Sequence, residues 1–333
     1  MDLELLRERA KIIQKVRSFF DSRDYLETDT PLLAPSLIPE SCLEVFETRR
    51  LFPKGSTAGE KPYWLIPSPE IWMKQLIAKH RTSIYQICRC FRNGESSGRQ
   101  HNSEFTMLEY YTMEADYLDS LKITEELFSF LIDKGKGKNE TNSPDLAPPF
   151  TRITVEEAFW RWAGFDLFRA AQNPASMEKE AEKTGLALMR GLSVPEIYDL
   201  IFIHAVEPNL KQEKPVALLD YPAFVPCLAK KSRNGKTVER WELYIRGIEL
   251  ANCFSEETVA EEVRVFIESE KAAKEKNALV KHKVNGDYWK MFNSKNQNTH
   301  FPPCSGVAMG LDRLIMLLFG CSTIDSVLPF PME

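Results

Sequence analysis

The stretch FRNGESSGRQHNSEFTMLEYY, residues 91–111, decides the fold. Residues 84–91 before it and 105–113 at its end alternate apolar and polar side chains with the period of two that marks β-strands, and the polar run 92–104 joins them. The segment therefore predicts a long antiparallel hairpin. In its second strand the same period puts Phe105, Met107, Glu109 and Tyr111 on one face, so a carboxylate and a phenol project side by side. The loop carries Arg92, Glu95, Arg99, His101, Asn102 and Glu104. Loops on rigid sheets are where functional side chains collect. A surface hairpin with solvated charges has the same composition, and the hairpin by itself leaves both readings open.

Working outward, residues 3–20 place Leu5, Leu6, Ile12, Ile13, Val16, Phe19 and Phe20 at helical spacing, and 25–33 runs extended into Pro31. Pro67, Ser68 and Pro69 form a stiff turn before a helix over 70–79. Downstream, 118–132 is helical, and the Gly-, Asn-, Ser- and Pro-rich stretch 134–150 reads as a surface insertion. Ser193 and Glu196, with Pro195 between them, make a capping box opening a helix to about residue 204. Segments 241–245 and 248–253 flank Arg246-Gly247, a two-residue hairpin turn. A charged helix over 256–276 follows, then a short strand around Val307 and a helix 311–319 that Gly320 stops. Antiparallel strands with helices around them predict an α+β domain built on one large antiparallel sheet flanked by helices.

The 333 residues, 43% of them hydrophobic, suffice for a sizeable core. No apolar run approaches the roughly 18 residues that span a bilayer, and the charged amphipathic start 1–15 is not a signal peptide, so a cytoplasmic protein without membrane contact is expected. The seven cysteines lack paired metal spacing, and Cys88-x-Cys90 falls on a strand face, which suits reduced structural thiols. A net charge of −5 gives no broad grip on nucleic acid.

Two further clusters could carry chemistry. In RWELYIRGIELANCFSEE, residues 240–257, a turn at Arg246-Gly247 pairs Tyr244 with Glu249 on the face that also holds Glu242. Two converging carboxylates repel unless a cation joins them, and an all-oxygen pair suits Mg²⁺ arriving with phosphates; a solvent-facing hairpin with incidental acids is the alternative. Asn252 has the opposite parity, so it reaches the same side only through a bulge. In CSGVAMGLDR, residues 304–313, Gly306 and Gly310 allow close approach to the backbone, and Arg313 sits in the first turn of an apolar helix. Neither the Walker pattern nor G-x-G-x-x-G is present.

In this order the clusters resemble motifs 1, 2 and 3 of class II aminoacyl-tRNA synthetases: Pro31 ending motif 1, Phe91-Arg92 through Glu109 as motif 2, and Gly310-Leu-Asp-Arg313 as motif 3. Ser68-Pro69-Glu70, His101-Asn102-x-Glu104-Phe105-Thr106-Met107, Glu109-x-Tyr111 and Glu249-Leu250-Ala-Asn252-x-Phe254-x-Glu256 are similar to the lysyl branch. The likeness covers nearly the whole chain and implies one catalytic domain over 1–333. Lysyl-tRNA synthetases carry an amino-terminal anticodon-binding domain, whereas this sequence starts at the motif 1 helix. That architecture, with VEPNLKQEKP (206–215) and Cys304-Ser-Gly306, resembles the elongation factor P β-lysine ligases.

The resemblance implies activation of (R)-β-lysine with ATP and Mg²⁺ and its transfer to a lysine side chain of elongation factor P, by a homodimer that does not use tRNA. It makes Arg92 and Arg313 the catalytic cations, the first on the α-phosphate and substrate carboxylate, the second stacked on adenine opposite Phe105. Asn93, Glu95, His101, Asn102, Leu250 and Gly310 complete the nucleotide site, and Glu242 and Glu249 hold the metal. Ser68, Pro69, Glu70, Glu109, Tyr111, Asn252, Phe254, Glu256 and Ala308 surround the amino acid. Ala308 stands where tRNA-charging lysyl enzymes have glycine, so its methyl trims the pocket against α-lysine. Two departures stand out: Gly94 is inserted in the F-R-N-E pattern, moving Glu95 by one position, and Cys253 replaces glycine after Asn252. The rival expectations are a lysyl-adenylate-forming enzyme with a tRNA or small-molecule acceptor, and a non-enzymatic regulator that binds an amino acid or adenylate.

Overall fold

A computed structural model describes residues 3–53, 59–94, 98–132, 146–189, 191–293 and 300–331. The chain divides into two compact units, one of Met1–Ala115 with Glu257–Glu333 and one of Asp116–Glu256. The first opens with α1 (Leu3–Asp21), where Ile12, Val16, Phe19 and Phe20 recur at steps of four, three and one and lie buried on one face. It continues through β1 (Leu26–Glu27), β2 (Leu33–Ala34), β3 (Glu47–Arg50) and β4 (Lys61–Leu65) to α2 (Glu70–His80), β5 (Ile84–Phe91) and β6 (Glu104–Met113). The expected extended run at 25–33 is two short strands. β5 and β6 form the expected hairpin, from Ile84 opposite Tyr111 to Phe91 opposite Glu104.

The second unit holds α3 (Tyr117–Leu131), β7 (Thr151–Thr154), the one-turn helices α4 (Val155–Ala158) and α5 (Leu167–Ala170), α6 (Pro174–Lys183), α7 (Val194–Ile201), β8 (Val216–Leu219), β9 (Arg240–Ile245) and β10 (Ile248–Ser255). Ser193 and Glu196 cap α7 reciprocally, the backbone N–H of Ser193 donating to the Glu196 carboxylate at 2.7 Å. β10, β9 and β8 pair antiparallel, and β7 runs parallel to β8. Val155, Phe159, Leu167, Ile197, Tyr198 and Leu218 belong to the core that these elements close over. Residues 133–145, most of the expected insertion, lie outside the described residues.

Back in the first unit come α8 (Ala260–Asn277), β11 (Cys304–Gly310) and α9 (Leu311–Leu318), with Gly320 at φ 63° just beyond the helix end. β11 pairs antiparallel with β6, β1 runs parallel to β5, and β2, β4 and β3 form a smaller antiparallel sheet. The strands are thus mainly antiparallel, with one parallel pair in each unit, and the fold class is α+β. Among the described residues no helix is long and apolar enough to cross a membrane.

One buried ion pair joins distant parts of the first unit. Arg9 Nη2 lies 2.6 Å from Asp312 Oδ1 and donates to Thr106 Oγ1 at 3.0 Å, while Asp312 Oδ2 accepts from the Thr106 N–H at 2.6 Å. The pair links α1, β6 and α9 around a carboxylate that is 1% exposed. Truncating the cation leaves that carboxylate uncompensated, so Arg9→Ala is expected to cost about 3–5 kcal/mol, read from the urea midpoint. A loss below about 1 kcal/mol refutes this structural role.

Candidate active site

In the first unit, the register of β11 against β6 puts Gly306 opposite Tyr111, Ala308 opposite Glu109 and Gly310 opposite Met107. Directly opposed residues share a face, so three small residues lie beside the three large ones and leave space above the sheet. Glu109 is 2% exposed. Its Oε2 accepts from Ser68 Oγ at 2.7 Å and its Oε1 from the Tyr111 hydroxyl at 2.7 Å. The Ser68 Oγ also accepts from the Glu70 N–H at 3.0 Å, where the Pro67–Pro69 turn enters α2. Glu70 itself is paired with Lys74 one turn on, Nζ to Oε1 at 2.6 Å, and Lys74 is fully buried. Burial first, then the charge of Glu70, pushes the Glu109 carboxyl up to about 7 against the opposing hydrogen bonds from Ser68 and Tyr111.

At the start of the motif 2 loop the Arg92 guanidinium lies 5.2 Å from the Phe105 ring centroid. Asn93 turns inward: its N–H donates to the Glu44 carbonyl at 3.0 Å and its Nδ2 to Val45 at 3.4 Å. Gly94 has φ 69°, a left-handed turn open to glycine, and its N–H donates to Asn93 Oδ1 at 2.9 Å. Glu95 lies outside the described residues. His101 sits in a one-turn bridge with Gly98, and the Asn102 side chain donates to the Glu104 carbonyl. In motif 3, Arg313 Nε donates to the Gln100 carbonyl at 3.1 Å. A Cβ on Gly310 would come 3.4 Å from the Arg313 side chain, so glycine there leaves that arginine its path along the backbone.

In the second unit Arg246 and Gly247, both at positive φ, make the expected turn, and Glu249 pairs with Tyr244. The register shifts between Glu249 and Ala251, the bulge that brings Asn252 opposite Glu242. Leu250 stands at the bulge with its side chain buried, so what it can offer a ligand is backbone. Glu242 is buried among donors: Arg240 Nη2 at 2.5 Å on Oε1, and the hydroxyls of Tyr221 and Tyr244 at 2.5 and 2.7 Å on Oε2. A carboxylate has about four acceptor directions, which leaves one on Oε1. Burial, then the charges of Glu242 and Glu249, pushes the Tyr244 phenol well up, so both carboxylates face it. Asn252 Oδ1 is buried and meets no donor among the described residues. Phe254 packs against the core, and Glu256 is buried. Among the described residues no group of three or more His, Cys, Asp or Glu could cage a metal. Two oxygen ligands fit an ion that arrives already bound to phosphates.

The family model for class II tRNA synthetases (D, K and N) matches residues 3–333. The chain belongs to this family. As a class II synthetase it is 32% identical over 332 residues to the elongation factor P–(R)-β-lysine ligase of Avibacterium paragallinarum, covering 99% of this chain and 96% of that one. It is also 32% identical over 335 residues to the same-named ligase of Proteus mirabilis (strain HI4320), covering 98% and 94%.

The fold of this class II chain adds two features. The Glu70–Lys74 pair has a signal in the sequence, an i, i+4 charge spacing on a helix. Glu40 has none, since it sits in an irregular loop. It shares the wall of one depression with Ser68, Glu70, Leu37 and Ile71. Burial first, then the charge of Glu70, pushes its carboxyl up to about 7, opposed by Arg92 and Lys274.

Proposed function

We propose that this protein activates (R)-β-lysine with ATP as an aminoacyl-adenylate and passes it to a lysine side chain of elongation factor P. The observation that carries this reading is the match to two ligases of that name along almost their full lengths. A ligase of the class II family uses ATP, and the chemistry follows. The substrate carboxylate attacks the α-phosphate and pyrophosphate leaves; the acceptor amine then attacks the carbonyl and AMP leaves. Arg92 holds the α-phosphate and the carboxylate, a task suited to its planar fork. Arg313 lies along adenine, with Phe105 on the other side. Catalysis is positioning and electrostatics, without a general base in the adenylation step.

Glu249 and the remaining acceptor direction of Glu242 hold Mg²⁺, which when bound neutralises charge on the triphosphate. Arg240 and the two tyrosines hold Glu242 in one rotamer. Glu70, Glu109, Tyr111, Asn252 and Glu256 take the polar groups of the amino acid, and Ala308 trims its pocket. The two units act as one catalytic domain, within a homodimer. A protein acceptor used in translation places the enzyme in the cytoplasm.

Incubation with ATP and labelled (R)-β-lysine, offering elongation factor P, tRNA or neither, tests the reading. Label is expected on elongation factor P; label on tRNA alone overturns the proposal. Because Ala308 stands opposite Glu109 in the register, Ala308→Gly is expected to shift kcat/KM for pyrophosphate exchange toward α-lysine by about 10-fold, the worth of one methyl group in a pocket. An unchanged ratio refutes the assignment of Ala308.

A further inference from the structure

Glu40 lies in the segment between β2 and β3, and that segment is tied down on two sides. The Ser41 N–H donates to Glu270 at 2.6 Å, Lys274 Nζ reaches the Leu43 carbonyl at 2.5 Å, and the Glu44 carboxylate accepts from the N–H groups of Leu279 and Val280 at 2.9 and 3.1 Å. The Leu37 N–H donates to Lys283 at 2.9 Å, and the Leu37 carbonyl accepts from Asn285 at 3.1 Å. The loop is therefore a rigid carrier, and it holds Glu40 in the wall of the depression that also exposes Ser68 and Glu70.

Charge pairing separates the three acids of this wall and floor. Glu70 is paired with buried Lys74, and Glu109 is held by two neutral hydroxyls. No hydrogen bond from the described residues reaches the Glu40 carboxylate. With Lys74 paired to Glu70 and Arg92 committed to the substrate carboxylate, Glu40 and Glu109 are two carboxylates in no ion pair among the described residues. A diamino acid brings two ammonium groups.

Position distributes them. The segment that carries Glu40 is bonded to the chain beside Arg92, the Asn93 N–H donating to the Glu44 carbonyl at 3.0 Å, whereas Glu109 lies on β6 opposite Ala308. Glu40 is thus at the carboxylate end of the substrate, where the 3-amino group of β-lysine lies, and Glu109 is at the far end over the sheet.

We infer that Glu40 is a specificity residue that binds the 3-ammonium group of the diamino-acid substrate, leaving Glu109 for the 6-ammonium. This rests on the proposed (R)-β-lysine activation. An ammonium between Glu40 and Glu70 also cancels their mutual repulsion, which with burial holds the free Glu40 carboxyl up to about 7.

The test compares Glu40→Gln and Glu40→Asp with the unmodified enzyme in ATP–pyrophosphate exchange, using (R)-β-lysine and 6-aminohexanoate, which lacks the 3-amino group. Loss of a charge-assisted hydrogen bond gives about 30- to 100-fold. Glu40→Gln is expected to raise KM for (R)-β-lysine by that factor with kcat little changed, and to leave KM for 6-aminohexanoate within about 3-fold. Glu40→Asp, which keeps the charge, should recover part of the loss. An equal loss on both substrates, or no loss on (R)-β-lysine, overturns the assignment of Glu40 alone. Absence of exchange by the unmodified enzyme with every lysine isomer overturns the proposed function, and the assignment with it.

Discussion

Arg92→Ala is expected to lower ATP–pyrophosphate exchange by about 10³-fold. Negative charge builds on the α-phosphate oxygens as pyrophosphate leaves, and a preorganised cation at that point stabilises the transition state. The Arg92 backbone is fixed by its own hydrogen bond, N–H to the Ser103 carbonyl at 3.0 Å, and the guanidinium lies over Phe105 at 5.2 Å. Arg92→Lys keeps the charge but loses the planar fork, so it should recover only part of the rate. Exchange within about 10-fold of the unmodified enzyme would remove Arg92 from the chemistry.

Glu109→Gln is expected to act in opposite directions on activity and stability. In the folded protein the Glu109 carboxyl sits up at about 7, above its ordinary value of 4.5, so between those two pH values the folded state holds more protons than the unfolded one. Stability therefore falls as pH rises through that window, by about 3 kcal/mol at full ionisation. The glutamine variant lacks this penalty. It should be more stable than the parent at about pH 8, by at most that amount, and the difference should vanish near pH 4. Exchange with (R)-β-lysine should fall at least about 100-fold, because the buried ammonium loses its counter-charge. In the parent, a bound ammonium draws the carboxyl back down, so KM should fall as pH rises through about 7. Denaturation at the two pH values and a KM profile decide this. Equal stability gaps at about pH 4 and pH 8 would refute it.

The β5–β6 hairpin, the Arg246-Gly247 turn, the α7 capping box and the long helices were all legible, because each depends on side-chain period or on residues within four positions of one another. The Asn252 bulge was legible as a requirement, since parity alone keeps Asn252 off the face of Glu249. Other features were not. The clamp on Glu242 draws Tyr221 from a loop 21 positions before it to join Arg240 and Tyr244 of the same strand, and the Arg9–Asp312 pair spans almost the whole chain. Nor does any local pattern show that Asn93 donates to the 44–45 backbone or that Gly94 makes a left-handed turn.

Period, turn chemistry and ordered motifs are properties of the chain alone, and they suffice for the α+β class, the order of the motifs and the residue types that phosphate and ammonium chemistry need. Which charges are already paired follows from the packing. Lys74 turns out to pair with Glu70, Arg240 to clamp Glu242, and Asp312 to anchor α1. Glu40, which no local pattern marks, is left beside Ser68 and Glu70. Burial makes the difference: it raises the cost of an unpaired charge from a few tenths of a kcal/mol to about 3–5 kcal/mol, and it depends on neighbours distant in the chain.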